Sequence, residues 1–528
     1  MWCKGWREQT WPALSQPWDV IVIGGGITGA GVLRQAVAAG LKTLLVEAND
    51  FASGTSGKSS KLIHGGLRYI LNKQFRVTQE SVREREWMLR TAPHLVDKLG
   101  FIFPNLERYH AANRQIGIVL AVYDLLAPKW DHHRYGRQGL AKACPILKKD
   151  DLKGGYLYYD AVMDDCRVVL RVIKEAVRAG GTAINYARVE KLLRTTDGNV
   201  CGIALKDVSG TDGGTAEIQA KVVINASGAW SDEIRGQLGQ PGKLRRVRGS
   251  HLVFPRTKLP VNTGITLLHP VDNRAMFVIP WEGSTIIGTT EVDQPAELDR
   301  TYAEPFAGAD EIAYIMEAAG FLFPDLKLSN DDIISSFAGL RPIVRGGAGS
   351  ASKESRAHAL WLEDGMVTIT GGKYTTFRIM SKQALELALG LIGKPARLPQ
   401  QRIFNPLPDM HHGDIDPVTS TYLAGRYGDE APRMIAAADK GEMDHIDLTP
   451  NVWAELRWAA RSEGVVHLDD LLMRRVRLGL LLSGGGKLFL KQIRGIVQAE
   501  LGWSDDRWQQ EENGYLQTWQ RYYSPSPG

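Results

Sequence analysis

The stretch GKSSKLIHGGLRYI, Gly57 to Ile70, places Lys58, Lys61, His64 and Arg68 among serines and paired glycines. It follows neither the alternation of a half-buried strand nor helical spacing, so it reads as a loop. Just upstream, Gly24, Gly26 and Gly29 spell G-x-G-x-x-G, with Gly25 inside the turn. The first glycine permits a tight turn, the second lets backbone approach a pyrophosphate, and the third lets a helix pack on a strand. Phosphate charge then meets the positive end of that helix. Glu47 stands 18 positions after Gly29, at the end of the next apolar run, where a carboxylate accepts hydrogen bonds from a ribose. No arginine directly follows Glu47, so a 2′-phosphate is not expected; NAD and FAD satisfy the motif equally. The loop after it, FASGTSGKSSKLIHGGLRYI, would run beneath such a cofactor, with Ser59, Ser60 and Lys61 offered to phosphate or ring oxygens.

These residues need a frame, and the flanking sequence supplies one. Asp19 to Ile23 is a continuously apolar, β-branched run of the kind buried in a parallel sheet. Val32, Leu33, Ala36 and Val37 form a helical stripe, Gly40 closes the helix, and Thr43 to Val46 return as a strand, giving a right-handed βαβ unit. A second helix is expected after Asp164, with Val169, Val172, Ile173, Ala176 and Val177 on one face. Val222 to Asn225 is another buried strand running into a small-residue turn that contains Gly228. From His251 to Val292, short β-type runs broken by Pro, Gly and Asn suit an antiparallel sheet. Trp361 to Leu389 gives strand, glycine turn and helix again, with Gly372, Lys373 and Thr375 at the turn. KPARLPQQRIFNPLPDM resembles a linker, and beyond it Leu468, Leu471, Leu472 and Val476 share a helical face.

The expected fold class is therefore α/β: a Rossmann-type FAD-binding or NAD-binding domain, an inserted antiparallel β substrate domain, and an α-helical C-terminal domain. The cofactor domain is assigned to 18–105, 161–245 and 336–395, a substrate or cap segment to 106–160, the β substrate domain to 246–335, and the helical domain to 400–528.

At 528 residues and 44% hydrophobic content, with 14 Trp, the chain can fill two or three cores. Cys3, Cys144, Cys166 and Cys201 form no CxxC pair, which argues against a disulfide scaffold, a zinc site or an iron–sulfur cluster and for a reducing, cytoplasmic setting. No apolar run reaches the about 18 residues that span a bilayer. MWCKGWREQTWPALSQP lacks the unbroken hydrophobic segment of a secretory signal, and its spaced tryptophans suit a packed or mobile extension better than a lipid interface. The net charge of +5 identifies no partner by itself. LRRVRG (Leu244 to Gly249) and MRRVRLG (Met473 to Gly479) are short and lack interleaved aromatics, so nucleic acid is not an expected partner; solvated faces or contacts with acidic lipid headgroups are.

SSKLIHGGLRY, with DVIVIGGGITGAG and LLVEAND, closely resembles the FAD-dependent, quinone-linked glycerol-3-phosphate dehydrogenases within the glycine-oxidase-like flavoproteins. VRGSHLVFP, FVIPW, STIIGTTEVD, AGLRPIV, TITGGKYTTFR and HLDDLLMRRVRLGLLL match in order, so the resemblance runs from about Trp18 onward. It implies oxidation of sn-glycerol 3-phosphate to dihydroxyacetone phosphate, hydride transfer to FAD, and electrons passed to membrane quinone. Under it Arg68, Arg341 and Arg356 hold or orient the substrate, a task suited to a planar guanidinium that grips phosphate at two points. His64 and His251 both lie in these motifs, and either imidazole is able to take the hydroxyl proton; His251 is the first choice, with His64 packed against the flavin, and Tyr69 either donates to substrate or packs beside Leu67 and Ile70. Lys373 and the helix start beyond it face the pyrimidine edge, where negative charge develops. Peripheral attachment to the inner face of the cell membrane follows from the acceptor, and a homodimer or membrane docking are the uses open to the helical domain. Two alternatives stand beside this: an oxidase that returns electrons to oxygen, and a redox-silent flavin-binding module. The tryptophan-bearing N-terminal segment and the Gly- and Ser-rich PIVRGGAGSASKES depart from the family's pattern, and no calcium loop is present.

Overall fold

The computed structural model describes residues 2–66, 70, 74–107, 110–126, 131–147, 150–210, 214–294, 304–345, 357–395, 398, 401–410 and 415–525. Two sheets organise it. The first runs, edge to edge, His358–Glu363, Met366–Gly371, Thr215–Asn225, Trp18–Ile23, Thr43–Val46 and Thr182–Ile184. From Met366–Gly371 to Thr182–Ile184 the neighbours are parallel, with Ile23 opposite both Asn225 and Val46. Val20, Ile21 and Val22 are completely buried because helices or strands cover both faces, which is why that run is apolar without alternation. Helices Ile27–Ala38, Asp165–Arg178 and Phe377–Leu391 pack together on one side. The Asp164 carboxylate caps the second of these by accepting from the Arg167 amide at 3.2 Å.

The second sheet is formed by Val292–Asp293, Leu244–Pro255, Ser284–Gly288, Ala275–Trp281, Gly264–Leu268, Val96–Leu106, Leu152–Met163 and Leu62–Ile63. Ser335–Val344 and His133–Gly136 pair off this path. It is antiparallel except where Gly264–Leu268 runs parallel to Val96–Leu106. Sheet membership departs from the expected segments at three places, the short strand Leu62–Ile63 of the assigned cofactor segment 18–105 being one, since it pairs with Leu152–Met163 in the second sheet. Val96–Leu106 and Ser335–Val344, assigned from sequence mostly to the cofactor domain, both belong to the substrate-side sheet; Ser335–Val344 pairs along its whole length with Leu244–Pro255. Strand partners lie far off in sequence, so local pattern does not reveal them.

The C-terminal region is helical, with Pro417–Tyr427, Trp453–Ser462, Leu490–Leu501 and Asp505–Tyr522 as its main elements. Leu468, Leu471, Leu472 and Val476 are all buried as expected, but around a short π-helical turn, Asp470–Arg475, rather than a regular helix. Two other expectations need correction. The described part of the linker is packed: Leu398, Ile403 and Phe404 are buried in the core of the cofactor domain. The basic cluster MRRVRLG faces neither solvent nor lipid headgroups, while in LRRVRG the Arg245 pair with Asp293 stays at the surface. Arg474 and Arg475 both reach Asp50 at 2.5 Å, and Arg477 lies against Asp165 and Cys166, so MRRVRLG is an internal set of counter-ions. Arg245, Arg246 and Arg248 pair with Asp293, Glu233 and Glu311. No described helix is long and apolar enough to cross a membrane.

Candidate active site

A cavity of about 600 Å³ lies between the two sheets and extends from Glu47 and Arg188 at one end to His251 and Arg341 at the other. Its floor is the glycine turn. Gly24 has φ 112°, and a Cβ there would stand 2.6 Å from the Ala226 carbonyl oxygen; on Gly29 it would stand 1.9 Å from the Gly24 oxygen. The turn thus closes on itself as the motif demands, leaving backbone at the cavity wall. At the following helix start, Ser56 Oγ accepts from the Ile27 amide at 2.9 Å, so its own hydroxyl hydrogen is available to an anion. Glu47 accepts from the amides of Gly25 at 2.7 Å and Asn49 at 2.8 Å, one on each oxygen, which retains lone pairs for a ribose. Burial nonetheless pushes its carboxyl upward against those amide bonds. These features fit a dinucleotide, and the rest of the lining, through His64, Lys373 and Thr375 to His251 and Arg341, is where the flavin half of FAD would be held.

The opening loop divides into two functions. Lys61 is not offered to cofactor oxygens as expected: it is wholly buried, and its Nζ donates to Asp165 Oδ2 at 2.8 Å and to the Gly57 oxygen at 2.9 Å. Burial, and then Arg477, bring its ammonium down to about 8 against the pull of Asp165. Ser59 lines the cavity, but its hydroxyl and amide both donate to Asp165 Oδ2, at 2.7 and 3.0 Å. Asp165, at the start of helix Asp165–Arg178, therefore anchors the loop from beneath. Sequence reading missed it because VMDDCRVV announces a helix start without naming a lysine 104 positions upstream as partner. Lys58 lines the cavity instead, paired with Glu304. His64 also lines it, its ring 6.4 Å from that of Phe277. The adjoining Gly65 amide donates to Tyr123 Oη at 3.0 Å and Asp160 Oδ1 at 3.2 Å, and Arg85 Nη1 donates to both acceptors at 2.7 Å. That buried triad, unmarked by any motif, fixes the loop backbone. Arg68, Tyr69 and Arg356 lie outside the described residues.

His251 and Arg341 meet at the far end. Leu244–Pro255 pairs with Ser335–Val344 in the register His251 opposite Phe337 and Val247 opposite Arg341. The His251 ring stacks on Phe337, centroids 4.7 Å apart at 9°, and its Nε2 is 2.8 Å from Ser60 Oγ. Its buried Nδ1 has no hydrogen-bond partner among the described residues. Burial first, then the charges of Arg341 and Lys61, hold this imidazole well below its usual pKa, so it stays neutral. Arg341 Nη2 donates to Thr289 Oγ1 at 2.9 Å, and Gly249 is needed beside it, since a Cβ there would lie 2.5 Å from the guanidinium.

At the third wall, Gly372 has φ 71°, and Lys373 and Thr375 line the cavity just before helix Phe377–Leu391. Lys373 Nζ donates to Ser81 at 2.6 Å, so its ammonium is held toward helix Phe75–Thr91. Gly228, at φ 59°, lines the cavity too, and its oxygen accepts from Thr370 Oγ1 at 2.9 Å. Among the described residues no cluster of His, Cys, Asp or Glu is arranged to hold a metal.

The family model described as FAD dependent oxidoreductase matches residues 19–378, and the one described as C-terminal domain of alpha-glycerophosphate oxidase matches 367–508. A glycerol-3-phosphate dehydrogenase of Mycobacterium leprae is 34% identical over 539 residues, covering 94% of this chain and 90% of the relative. The chain belongs to the FAD-dependent glycerol-3-phosphate dehydrogenase family. An aerobic glycerol-3-phosphate dehydrogenase of Staphylococcus saprophyticus is 32% identical, covering 92% of this chain and 90% of that one. The crystal structure of a glycerol-3-phosphate dehydrogenase from Bacillus halodurans complexed with FAD superposes with a TM-score of 0.80 at 27% identity, covering 100% of this chain and 99% of that one. The family therefore bears out the α/β fold, the helical C-terminal domain and the FAD-type reading of the glycine turn.

Proposed function

We propose that this chain oxidises sn-glycerol 3-phosphate to dihydroxyacetone phosphate. The observation that carries the reading is the pairing of a neutral, buried imidazole with a guanidinium at the end of a dinucleotide-sized cavity. FAD, when bound, supplies the hydride acceptor. His251 takes the proton of the secondary hydroxyl, a role open to it because it is unprotonated across the physiological range. Arg341 grips the phosphate at two points, with Arg68 and Arg356 as further cations and Tyr69 as a donor to substrate. His64 shapes the wall between, and Lys373 contributes positive charge beside Gly372 and Thr375.

For the acceptor we favour a membrane quinone. An apolar arm of the cavity, lined by Leu62, Phe103, Ile116, Leu268 and Phe277, reaches helix His110–Leu126. The outer face of that helix exposes Ile118 at 70% and Leu125 at 79%, which suits peripheral attachment at the inner face of the membrane. Anaerobic addition of glycerol 3-phosphate to the yellow holoprotein should bleach the flavin, and a short-chain quinone should restore the colour. A flavin that stays oxidised would overturn the enzymatic reading and support a redox-silent module. Stoichiometric peroxide in air with no quinone reduction would instead establish an oxidase.

A further inference from the structure

The segment before the first strand is built into the cofactor domain. Trp2 is buried, and its Nε1 donates to the Ala183 oxygen at 3.1 Å. Its ring stacks on Phe51, centroids 5.1 Å apart, and lies so close to Gly464 that a Cβ there would be 3.3 Å away. Phe51 in turn underlies the glycine turn: a Cβ on Gly25 would meet its ring at 2.8 Å, and the Ala52 amide donates to the Gly25 oxygen at 3.1 Å. Trp2 is thus separated from the turn by a single aromatic ring.

Arg7, in helix Trp6–Ala13, is the second anchor. It is buried and makes a two-point contact with Asp207, Nε to Oδ2 at 3.0 Å and Nη2 to Oδ1 at 2.8 Å. It also donates to the carbonyl oxygens of Asn185 at 2.8 Å and Tyr186 at 3.0 Å. Those two residues hold the loop that carries Glu47. Tyr186 has φ 51°, a left-handed conformation that a tyrosine keeps only under constraint, and its amide donates to the Asn49 oxygen at 2.8 Å. The Ala187 amide donates to the Glu47 oxygen at 2.8 Å, and Asn185 Nδ2 donates to Asp50 Oδ1 at 2.9 Å. Both carbonyl groups that accept from Arg7 therefore lie within one residue of a bond to the loop 47–50, whose residues 47–49 line the cavity end away from His251 together with Ala187, Arg188 and Val189.

We propose that residues 2–14 are a clamp that holds the ribose-side loop in its cofactor-binding arrangement, with Trp2 and Arg7 as positioning residues that govern how long FAD is retained. The inference rests on FAD lying at the glycine turn. Neither side chain touches the cavity, so the clamp acts by keeping the loop competent; a loop competent only a tenth of the time weakens apparent affinity about tenfold.

The test uses holoprotein diluted at 25 °C, with flavin release followed by its fluorescence rise and global unfolding followed separately by circular dichroism. Arg7→Ala and Trp2→Ala should each release FAD about tenfold faster at temperatures where the fold is intact, and Trp2→Phe and Arg7→Lys should fall between them and the parent. Arg457→Ala, which breaks the Asp439, Glu442 and Glu500 pairs within the C-terminal domain, serves as a control that lowers stability while leaving release unchanged. Release from the clamp variants at the parental rate, or faster only in step with unfolding as in the Arg457 variant, would overturn the clamp while leaving the cofactor assignment intact. A parent protein that takes up no FAD would overturn the cofactor assignment, and the clamp with it.

Discussion

His251 illustrates how a residue's chemistry depends on its surroundings more than its type. Buried against Phe337 and facing Arg341 and Lys61, it keeps its imidazole uncharged where an exposed histidine would be half protonated. Activity limited by this base should therefore be flat from about pH 6.5 upward, falling only well below the usual histidine value of about 6.5. A pH profile of kcat/KM with an ascending limb centred near 7 would contradict that. His251→Asn should lower kcat by about 10²- to 10⁴-fold, the usual contribution of a positioned base, with FAD content unchanged. For Arg341→Ala, the lost charge-assisted contacts are worth about 1.5–3 kcal/mol, so steady-state kinetics should show KM rising about 10- to 150-fold with flavin retained. Loss of flavin in that variant would place Arg341 on the cofactor instead.

At the scale of elements, the loop Gly57–Gly66 is held to helix Asp165–Arg178 by a lysine and an aspartate that are both fully buried. Removing one partner strands a charge without solvent, a change that costs about 3–5 kcal/mol. Lys61→Met and Asp165→Asn should each show this loss in urea unfolding, while the double variant Lys61→Met/Asp165→Asn should lose clearly less than the sum of the two. Equal and additive losses would mean that the pair is not the tie we describe. G-x-G-x-x-G and Glu47 were legible because strand, turn and helix are contiguous, and each has a fixed local geometry. Lys61 was not, because SSK presents a lysine without indicating whether it faces a phosphate or an aspartate 104 positions away. The Asp160, Tyr123 and Arg85 triad was equally silent in sequence, its members coming from a strand and two helices.

For the whole molecule, the C-terminal helices are joined to the cofactor domain through buried ion pairs: Asp50 with Arg474 and Arg475, Asp164 with Arg426, and Glu463 with Arg167 and Lys174. Burial alone would raise the Glu463 carboxyl, but Arg167 and Lys174 bring it down to about 2, from 4.5 in the open chain. The unfolded chain therefore binds this proton first, and the stability the pair contributes, complete above pH 4.5, is lost as pH falls from 4.5 toward 2. Asp50 and Asp164 are lowered in the same sense, against the effect of burial, by Arg475 with Arg474 and by Arg426. His251, depressed below 6.5, adds to the acid lability at a higher pH than the carboxylates do, since the unfolded histidine is protonated first. Unfolding midpoints in urea should fall steadily below about pH 6.5 and steeply below about 4.5. Glu463→Gln should be less stable at pH 7 and flatten the acid limb; an unchanged slope would show the pair to be idle.

The sequence by itself determined the βαβ unit and its dinucleotide site, because a tight turn, a buried strand and a helix stripe each follow from neighbours a few residues apart. It also carried the substrate expectation, through motifs lying in order along the chain. Only the tertiary structure decided which cations reach the cavity and which are spent inside. MRRVRLG reads as a basic surface, yet its arginines face Asp50 and Asp165, and SSKLIHGG reads as a phosphate loop, yet its lysine is a strut. The physical reason is that a charge is defined by its nearest counter-charge, and in a fold built from two interleaved sheets that neighbour is set by long-range packing rather than by spacing along the chain.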